Sequence, residues 1–213
     1  MIALIDYRAG NLTSVRKALD HLEAQFFTPT RPDELDTASG VIVPGVGNFE
    51  ATRALVDGWT DAVRRHVERG VPLLGICLGL QWLFHGSSEA PGLEGLGLMP
   101  GDCALIEAPD HEDTGDHFKV PHVGWNSLDL KRPSWLLDGV ADGSQVYFTH
   151  SFAAPVTSDC VASTTYGVQF ASAVERDQVA GVQFHPEKSG DVGLKILGNF
   201  LARVGAFTSG VSS

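Results

Sequence analysis

The chain passes from a strand into a helix within residues 70–83, which read GVPLLGICLGLQWL. The run from Leu73 to Ile76 is too apolar to have a solvent-exposed face, so it predicts a buried strand of a parallel sheet. A short helix is predicted from about Leu78 to Phe84. Cys77 therefore lies at a strand-to-helix junction and between two glycines, which is the layout of a nucleophile elbow with sulfur in place of oxygen.

Short apolar runs and helix-period segments alternate through the first half of the chain, the pattern of βαβ units. Beyond about residue 101 the pattern changes to short alternating strands separated by turn residues. We therefore predict an α/β fold, with an open, mainly parallel, twisted sheet, helices on both faces and an antiparallel extension. We expect one domain over residues 1–207 and a frayed tail over residues 208–213. The predicted strands are 2–6, 25–28, 41–43, 73–76, 103–107, 125–130, 146–151, 160–166 and 180–184, and the other predicted helices are 11–24, 49–67 and 192–204.

The charge balance of the 213-residue chain excludes some classes of function. Its 15 Lys and Arg residues against 26 Asp and Glu residues give a net charge of −11, and they form no basic cluster to neutralise nucleic-acid phosphates. No apolar run approaches the roughly 18 residues of a membrane span, and the N-terminus has no basic leader. We therefore expect a cytoplasmic protein that binds neither nucleic acid nor membranes. Five of the acidic residues fall within residues 107–116, where a mobile, solvated loop is predicted.

Three cysteines, Cys77, Cys103 and Cys160, form no CxxC pair, which argues against a disulfide framework or a zinc-thiolate site. Each is then either a small core residue or a nucleophile, and neither a metal nor a cofactor is expected. For Cys77, the flanking glycines allow a sharp turn, and the start of the helix favours the thiolate. The N–H of Leu78 would face a developing oxyanion. A buried cysteine in a close-packed strand is the alternative for this pentapeptide taken alone.

A candidate base lies in the segment Gly181-Val182-Gln183-Phe184-His185-Pro186-Glu187, where an apolar strand ends. Strand periodicity places His185 and Glu187 on one side, so the carboxylate can orient one ring nitrogen while the other faces a thiol. Pro186 would end the strand. A plain turn is the alternative for His-Pro-Glu in isolation. Together with the elbow, however, the segment supplies the missing base and its orienting carboxylate.

A third segment, Pro44-Gly45-Val46-Gly47, follows the predicted strand 41–43. Open α/β sheets bind ligands beyond the carboxyl ends of their strands. The two glycines let backbone N–H groups point at an anion, so this segment is a candidate for completing an oxyanion hole with Leu78. A strand-to-helix turn with Asn48 as N-cap is compatible with the same residues.

Together these segments resemble the class I, or triad, glutamine amidotransferases. The match at this level rests on Gly75-Ile76-Cys77-Leu78-Gly79 with Gln81 and on His185-Pro186-Glu187. Further blocks, in family order along residues 6–189, narrow the resemblance to the glutaminase subunits of imidazole glycerol phosphate synthases, in histidine biosynthesis. These blocks are Asp6-Tyr7 with Gly10-Asn11-Leu12, Pro44-Gly45-Val46-Gly47 with Phe49, Lys119-Val120-Pro121-His122 with Gly124-Trp125-Asn126, Tyr147-Phe148 with His150-Ser151, and Glu187-Lys188-Ser189.

The resemblance implies that Cys77 attacks the side-chain amide of glutamine to give a γ-glutamyl thioester and ammonia. His185 would act as base and acid, and Glu187 would orient it. The resemblance also implies a heterodimer with an ammonia-accepting partner, a (β/α)8-barrel cyclase subunit. The positions that match the family's glutamine-binding residues are Gln81, Glu89, Ser151 and Phe152. The positions that match its partner interface and ammonia route are Asn11, Trp125, Tyr147 and Lys188, where core packing is the alternative for the two aromatic residues.

The sequence departs from the family pattern at two positions near these blocks. The family usually has glycine where Arg8 stands, so a positive φ is harder to adopt there, and Phe152 replaces the more usual tyrosine. Another triad amidotransferase, such as the one that serves pyridoxal phosphate synthesis, is the alternative within the class, but Gly124-Trp125-Asn126 and Pro44-Gly45-Val46-Gly47 argue against it. A catalytically silent interaction module would lack a triad residue, and none is missing.

Overall fold

The computed structural model describes residues 1–10, 12–107 and 119–211 of the chain. The α-helices are α1 (Leu12–His21), α2 (Trp59–Glu68), α3 (Leu78–Trp82) and α4 (Gly190–Val211). Short 3₁₀ helices span Pro32–Thr37, Phe49–Leu55 and Pro186–Lys188. The strands are β1 (Ile2–Leu4), β2 (Phe26–Phe27), β3 (Gly40–Gly45), β4 (Leu73–Cys77), β5 (Gly86–Ser87), β6 (Asp102–Leu105), β7 (His122–Ser127), β8 (Asp129–Leu130), β9 (Gln145–His150), β10 (Phe152–Ala153), β11 (Cys160–Tyr166), β12 (Val168–Arg176) and β13 (Val179–Val182).

Within these residues, an eight-stranded sheet runs in the order β2-β1-β3-β4-β13-β12-β11-β8. The first five strands in this order, β2, β1, β3, β4 and β13, pair in parallel. Strands β12, β11 and β8 then continue the sheet in antiparallel pairing. The predicted α/β fold, with a mainly parallel sheet and an antiparallel extension, is confirmed. Two smaller sheets, β10-β6-β5 and β7-β9, complete the strand pairing of the described residues.

Helices cover both faces of the large sheet, as predicted. Alternate residues of β4 belong to different apolar clusters, because successive side chains of a strand point to opposite faces. Leu74 and Ile76 pack in the cluster that contains α1 and α4, whereas Leu73 packs in the cluster that contains α2 and the 3₁₀ helix Phe49–Leu55. Apolar clusters therefore pack against both faces of β4, the strand that leads into α3 at the carboxyl ends of the parallel strands.

Two predicted elements differ in the structure. The helix expected over residues 49–67 is divided into the 3₁₀ helix Phe49–Leu55 and α2, and the break falls at Gly58, whose φ is +79°. Asn48 caps the first of these, as considered above, by accepting the Glu50 N–H at 2.8 Å. The strand expected over residues 125–130 is divided between β7, which pairs with β9, and β8, which joins the large sheet.

The C-terminal helix is longer than predicted. Helix α4 continues to Val211, so its expected end at residue 204 was wrong, and residues 208–211 of the expected frayed tail are helical. No helix of the described chain is long and apolar enough to cross a membrane. Residues 212–213, Asn11 and residues 108–116 of the predicted acidic loop lie outside the described residues.

Candidate active site

Cys77 occupies a strained turn between β4 and α3. Its φ of +53° lies in a region that residues other than glycine rarely adopt, and the residue is only 4% exposed. Close packing explains the flanking glycines. A Cβ atom on Gly75 would lie 2.5 Å from the Gly79 carbonyl oxygen, and one on Gly79 would collide with the Val43 carbonyl oxygen. The structure thus contains the elbow that the sequence predicts.

His185 follows β13 and is hydrogen-bonded to Glu187 across one turn. The His185 Nδ1 atom lies 2.7 Å from Glu187 Oε1, with the two side chains 2% and 5% exposed. Burial is the largest single influence and lowers the pKa of His185, but interactions with Cys77 and Glu187 together outweigh it and raise the pKa to about 10. A pKa raised this far favours the imidazolium form of the ring at neutral pH.

The free edge of this imidazole is available for proton transfer. The Nε2 atom is buried and has no hydrogen-bond partner of ordinary geometry in the part of the chain that the structure describes. The backbone of His185 is nevertheless firmly held, because its N–H donates to the Tyr147 carbonyl at 2.9 Å. The Ser189 hydroxyl donates to the His185 carbonyl at 2.6 Å and accepts the Tyr147 N–H at 3.0 Å. Ser189 therefore ties the histidine to β9, a role that its sequence position alone does not reveal.

A cavity of about 310 Å³ opens in front of Cys77. Eight of its lining residues are predicted site residues, namely Val46, Gly47, Cys77, Leu78, Gln81, Glu89, Ser151 and Phe152, and the others are Pro121, Thr149 and His150. His185, Glu187 and Gly45 instead line a neighbouring void of about 10 Å³, which has room for no more than one water molecule. Cys77 thus lines the larger cavity, whereas His185 and Glu187 line the smaller void next to it.

Two of the predicted glutamine-binding side chains already make protein contacts. The Gln81 amide nitrogen donates to the Phe152 carbonyl at 2.8 Å, which fixes one wall of the cavity. Half-buried Glu89 accepts the Phe49 N–H through Oε2 at 2.7 Å. A carboxylate has a second oxygen, so Glu89 can still accept from a ligand ammonium.

The candidate oxyanion donors Leu78 and Val46 differ in whether their N–H groups already have a hydrogen-bond partner. Leu78 is the first residue of α3, so its N–H has no partner within the helix. The Val46 N–H instead donates to the Ala9 carbonyl at 3.3 Å. Of these two predicted donors, the Leu78 N–H is not used within the helix, whereas the Val46 N–H is engaged by Ala9.

An exposed aromatic group lies on the small β7-β9 sheet. Trp125 is 56% exposed, so core packing does not account for it, and its ring meets half-buried Tyr147 edge to face at 6.0 Å between centroids. The Lys188 Nζ atom lies 5.7 Å from the centre of the Tyr147 ring. Exposed Val123 is on the same strand as Trp125. Three of the four predicted interface residues are therefore brought together, and the fourth, Asn11, is outside the described residues.

The other cysteines are poor candidates for a nucleophile. All three cysteines are free, and all are buried. Burial raises the pKa of the Cys103 thiol far above neutrality, and it raises the pKa of Cys160 to about 11. Neither residue lines the cavity in front of Cys77. Among the residues that the structure describes, no group of three or more His, Cys, Asp or Glu side chains is arranged to bind a metal ion.

The departure at Arg8 leaves the local backbone in the conformation that glycine would favour. Arg8 adopts a φ of +63°, and its N–H donates to Asp6 Oδ1 at 2.9 Å, which stabilises the turn.

Sequence reasoning assigned no role to Gln183, whose amide nitrogen lies 3.7 Å from Cys77 Sγ. Its position two residues before His185, just after β13, is the signal that could have found it.

Comparison with known proteins agrees with this geometry. The family model described as glutamine amidotransferase class-I matches residues 3–204. The imidazole glycerol phosphate synthase subunit HisH of Desulfovibrio desulfuricans is 47% identical over 203 residues, covering 94% of this chain and 93% of the relative. The subunit of the same name from Moorella thermoacetica is 46% identical over 203 residues, covering 93% of each chain.

Solved structures share the fold at much lower identity. One described as a glutamine amidotransferase has a TM-score of 0.72 at 20% identity and covers 96% of this chain and 100% of that chain. PurLQS from Thermotoga maritima has a TM-score of 0.69 at 17% identity, with coverage of 95% and 98%. Since the family model spans nearly the whole chain and relatives above 45% identity match over more than nine tenths of it, the chain belongs to the class I glutamine amidotransferase family.

Proposed function

We propose that this chain is the glutaminase subunit of an imidazole glycerol phosphate synthase. It hydrolyses the side-chain amide of glutamine and delivers the ammonia to a cyclase partner, which forms imidazole glycerol phosphate and aminoimidazole carboxamide ribonucleotide in histidine biosynthesis. The names of its nearly full-length relatives support this assignment. The observation that carries the chemistry is the elbow of Cys77, open to a cavity and backed by the His185–Glu187 pair.

The reaction begins when the Cys77 sulfur attacks the amide carbonyl carbon of glutamine. A C–S bond forms and the carbonyl oxygen takes the negative charge. His185 gives its Nε2 proton to the amide nitrogen, the C–N bond breaks, and ammonia leaves a γ-glutamyl thioester behind. His185 then accepts a proton from water as the water oxygen attacks the thioester. The C–S bond breaks, glutamate leaves, and the thiolate and imidazolium are restored.

Backbone donors would stabilise the oxyanion of both steps. The Leu78 N–H is suitable as it stands, whereas the Val46 N–H can contribute only after its bond to the Ala9 carbonyl is broken. The Glu89 carboxylate would receive the α-ammonium of glutamine, and the Ser151-Phe152 backbone and Gln81 would hold the rest of the amino-acid group. The presence of all four residues in the cavity lining supports these assignments.

The partner in this proposal is a (β/α)8-barrel cyclase subunit bound as a heterodimer. Exposed Trp125, with Tyr147, Lys188 and Asn11, would form its contact surface and the start of the ammonia route. Aromatic residues beside a cation are typical of the energetically important centre of an interface. We place the protein in the cytoplasm, because the reaction requires Cys77 as a free thiol and cytoplasmic thiols are kept reduced.

The function is tested by measuring glutamate release by the purified chain, alone and with a cyclase barrel and its nucleotide ligand. We expect activity to rise sharply on assembly and to be abolished by Cys77→Ala. Equal activity with and without the barrel would contradict the coupling, and activity retained by Cys77→Ala would contradict the mechanism. In the same assay, Trp125→Ala should weaken assembly or release ammonia to solvent, while an unchanged coupled rate would exclude Trp125 from the interface.

A further inference from the structure

Gln183 is a buried amide next to the nucleophile. It directly follows β13, is 0% exposed, and places its Nε2 atom 3.7 Å from Cys77 Sγ. An N–H group at this position can hydrogen-bond to sulfur and stabilise it more as a thiolate than as a thiol, because bonds to charged acceptors are stronger. The amide would have the opposite effect if its oxygen faced the sulfur, so its orientation decides what Gln183 does.

Gln81 determines that orientation. The Gln81 amide group lies 2.8 Å from the Phe152 carbonyl oxygen and 3.2 Å from Gln183. A carbonyl oxygen can only accept, so the Gln81 atom between these two groups must be its nitrogen, which has two hydrogens to donate. Gln183 must therefore present its oxygen to Gln81 and its nitrogen to Cys77. The reverse orientation would bring two donors together.

The same carbonyl is contacted by the buried His150, which in turn contacts the buried His122. The His150 Nδ1 atom lies 2.9 Å from the Phe152 oxygen and must donate to it. Burial lowers the pKa of His150 to about 3, so the ring is neutral and its Nε2 atom is an acceptor. The His122 Nδ1 atom, 3.3 Å away, must then be the donor to that nitrogen.

The series of hydrogen bonds begins at Asn126 on β7, the strand that carries Trp125. Burial also lowers the pKa of His122, to about 4, so its Nε2 atom is an acceptor as well. It faces the Asn126 amide nitrogen at 3.5 Å, and that nitrogen is identified by its second bond, to the Thr165 carbonyl at 3.1 Å. Every hydrogen bond in the series is thus fixed in direction, from Asn126 through His122 and His150 to Phe152.

We propose that Gln183 is a hydrogen-bond donor to the reacting sulfur of Cys77 and that Gln81 is the positioning residue that imposes its direction. His150, His122 and Asn126 hold the Phe152 carbonyl to which Gln81 donates. The proposal rests on Cys77 being the nucleophile of the proposed function. It connects the thiolate, through side chains and one carbonyl, to β7, the strand next to the proposed partner. Among the described residues, His185, Glu187 and Tyr7 also interact with this centre, and Glu89 lines the same cavity as Cys77; none of these four belongs to the series.

The test is the pH dependence of Cys77 alkylation by iodoacetamide in the full chain, followed by peptide mapping. Gln183→Met removes the donor, and Gln183→Glu keeps the acceptor for Gln81 while replacing the donor. Both should raise the pH midpoint of alkylation by about 1 to 2 units, since bonds to charged groups have this strength. The control is Gln145→Glu, which makes the same chemical change at an exposed position of β9 and should leave the midpoint unchanged. Folded Gln183 variants with the wild-type midpoint would overturn the proposal.

A second measurement does not depend on variants that fold. Nitrogen-15 NMR of the wild-type rings should show the Nδ1–H tautomer for both His122 and His150 at neutral pH, and an Nε2–H tautomer in either ring would overturn the series. Neither measurement requires glutamine turnover. A failure of the proposed glutaminase activity would therefore leave both results intact and could be told apart from a failure of this proposal.

Discussion

Two buried histidines near the candidate site differ in their response to burial. His185 is 2% exposed and His150 is 7% exposed, yet the pKa of the first is raised to about 10 and that of the second is lowered to about 3. In both rings burial is the largest influence and lowers the pKa. His185 overcomes it because Glu187 and Cys77 favour the imidazolium, whereas the titratable neighbours of His150 are other histidines.

The difference shows how one fold separates two uses of the same side chain. A charged ring beside a carboxylate can give a proton to a leaving group. A neutral ring among aromatic side chains cannot, but its two nitrogens become a fixed donor and a fixed acceptor. His122, which stacks on Tyr166 at 4.0 Å and on Phe148 at 4.8 Å, belongs to the second kind. The neighbouring residues therefore decide which histidine is able to act as an acid.

The largest effect is expected from removing the carboxylate that distinguishes the two histidines. Glu187→Gln should lower kcat by about 10²- to 10⁴-fold, the range for a lost acid–base group or its orienting partner. The His185 pKa should fall, so the alkaline limb of the kcat profile in the complex should move to lower pH. Steady-state kinetics across pH measure both effects.

Glu50→Gln is the matched control, since it makes the same change in a surface ion pair with Arg53. Glu50→Gln should leave unchanged both kcat and the pH at which the alkaline limb of the kcat profile falls. A Glu187→Gln enzyme with its alkaline limb at the wild-type position would show that the carboxylate does not set the charge of His185.

An intermediate effect is expected on acid stability. In the folded protein the pKa of His150 is lower than its ordinary value of 6.5. As the pH falls below 6.5, the unfolded chain therefore binds a proton at this residue that the folded chain does not bind. Stability is lost in that range. His150→Asn cannot titrate, so between pH 6.5 and 5 it should lose about 2 kcal/mol less of its free energy of unfolding than the wild type does. Urea unfolding at a series of pH values measures the difference.

The control for this comparison is His21→Asn, at the exposed C-terminal end of α1. It should keep the wild-type slope of stability against pH. If His150→Asn also kept that slope, His150 would titrate normally in the folded protein and the contrast with His185 would not hold.

The smallest effect is expected from exposing to water one face of His122, which forms a neutral pair with His150. Tyr166→Ala removes the ring stacked on His122, so the pKa of His122 should rise from about 4 toward 6.5. Tyr166→Phe keeps the ring and should change the pKa little. NMR titration of His122 distinguishes the variants, and equal pKa values in both would show that stacking does not control the hydration of this ring.

The sequence predicts the parts of this molecule that depend on local pattern. The elbow at Cys77 could be recognised because two glycines and an apolar strand leave few other conformations, and the structure has it. The α/β class followed from alternating segments. The longest strand of the described chain, β12, was missed, because it is buried on both sides by β11 and β13 and its centre consists of small residues without a two-residue alternation.

The rest of the candidate site depends on contacts between distant segments. Gln183 gains its role from Gln81, 102 residues away, and from the carbonyl of Phe152. The pairing of His122 with His150 needs the register of β7 against β9, in which these two residues face each other. Local patterns carry no information about such contacts, so these roles could not be read before the fold was known. The engagement of the Val46 N–H by Ala9 is of the same kind.

The most direct test of the account is the site at which a glutamine-mimicking electrophile, such as a chloroketone, modifies the protein. The three free cysteines are Cys77, Cys103 and Cys160, and only the first faces the cavity. Peptide mapping by mass spectrometry should find a single adduct, on Cys77, and glutamine should protect against it. Equal labelling of the three cysteines, or glutaminase activity that survives complete modification of Cys77, would contradict the central claim that this sulfur is the nucleophile.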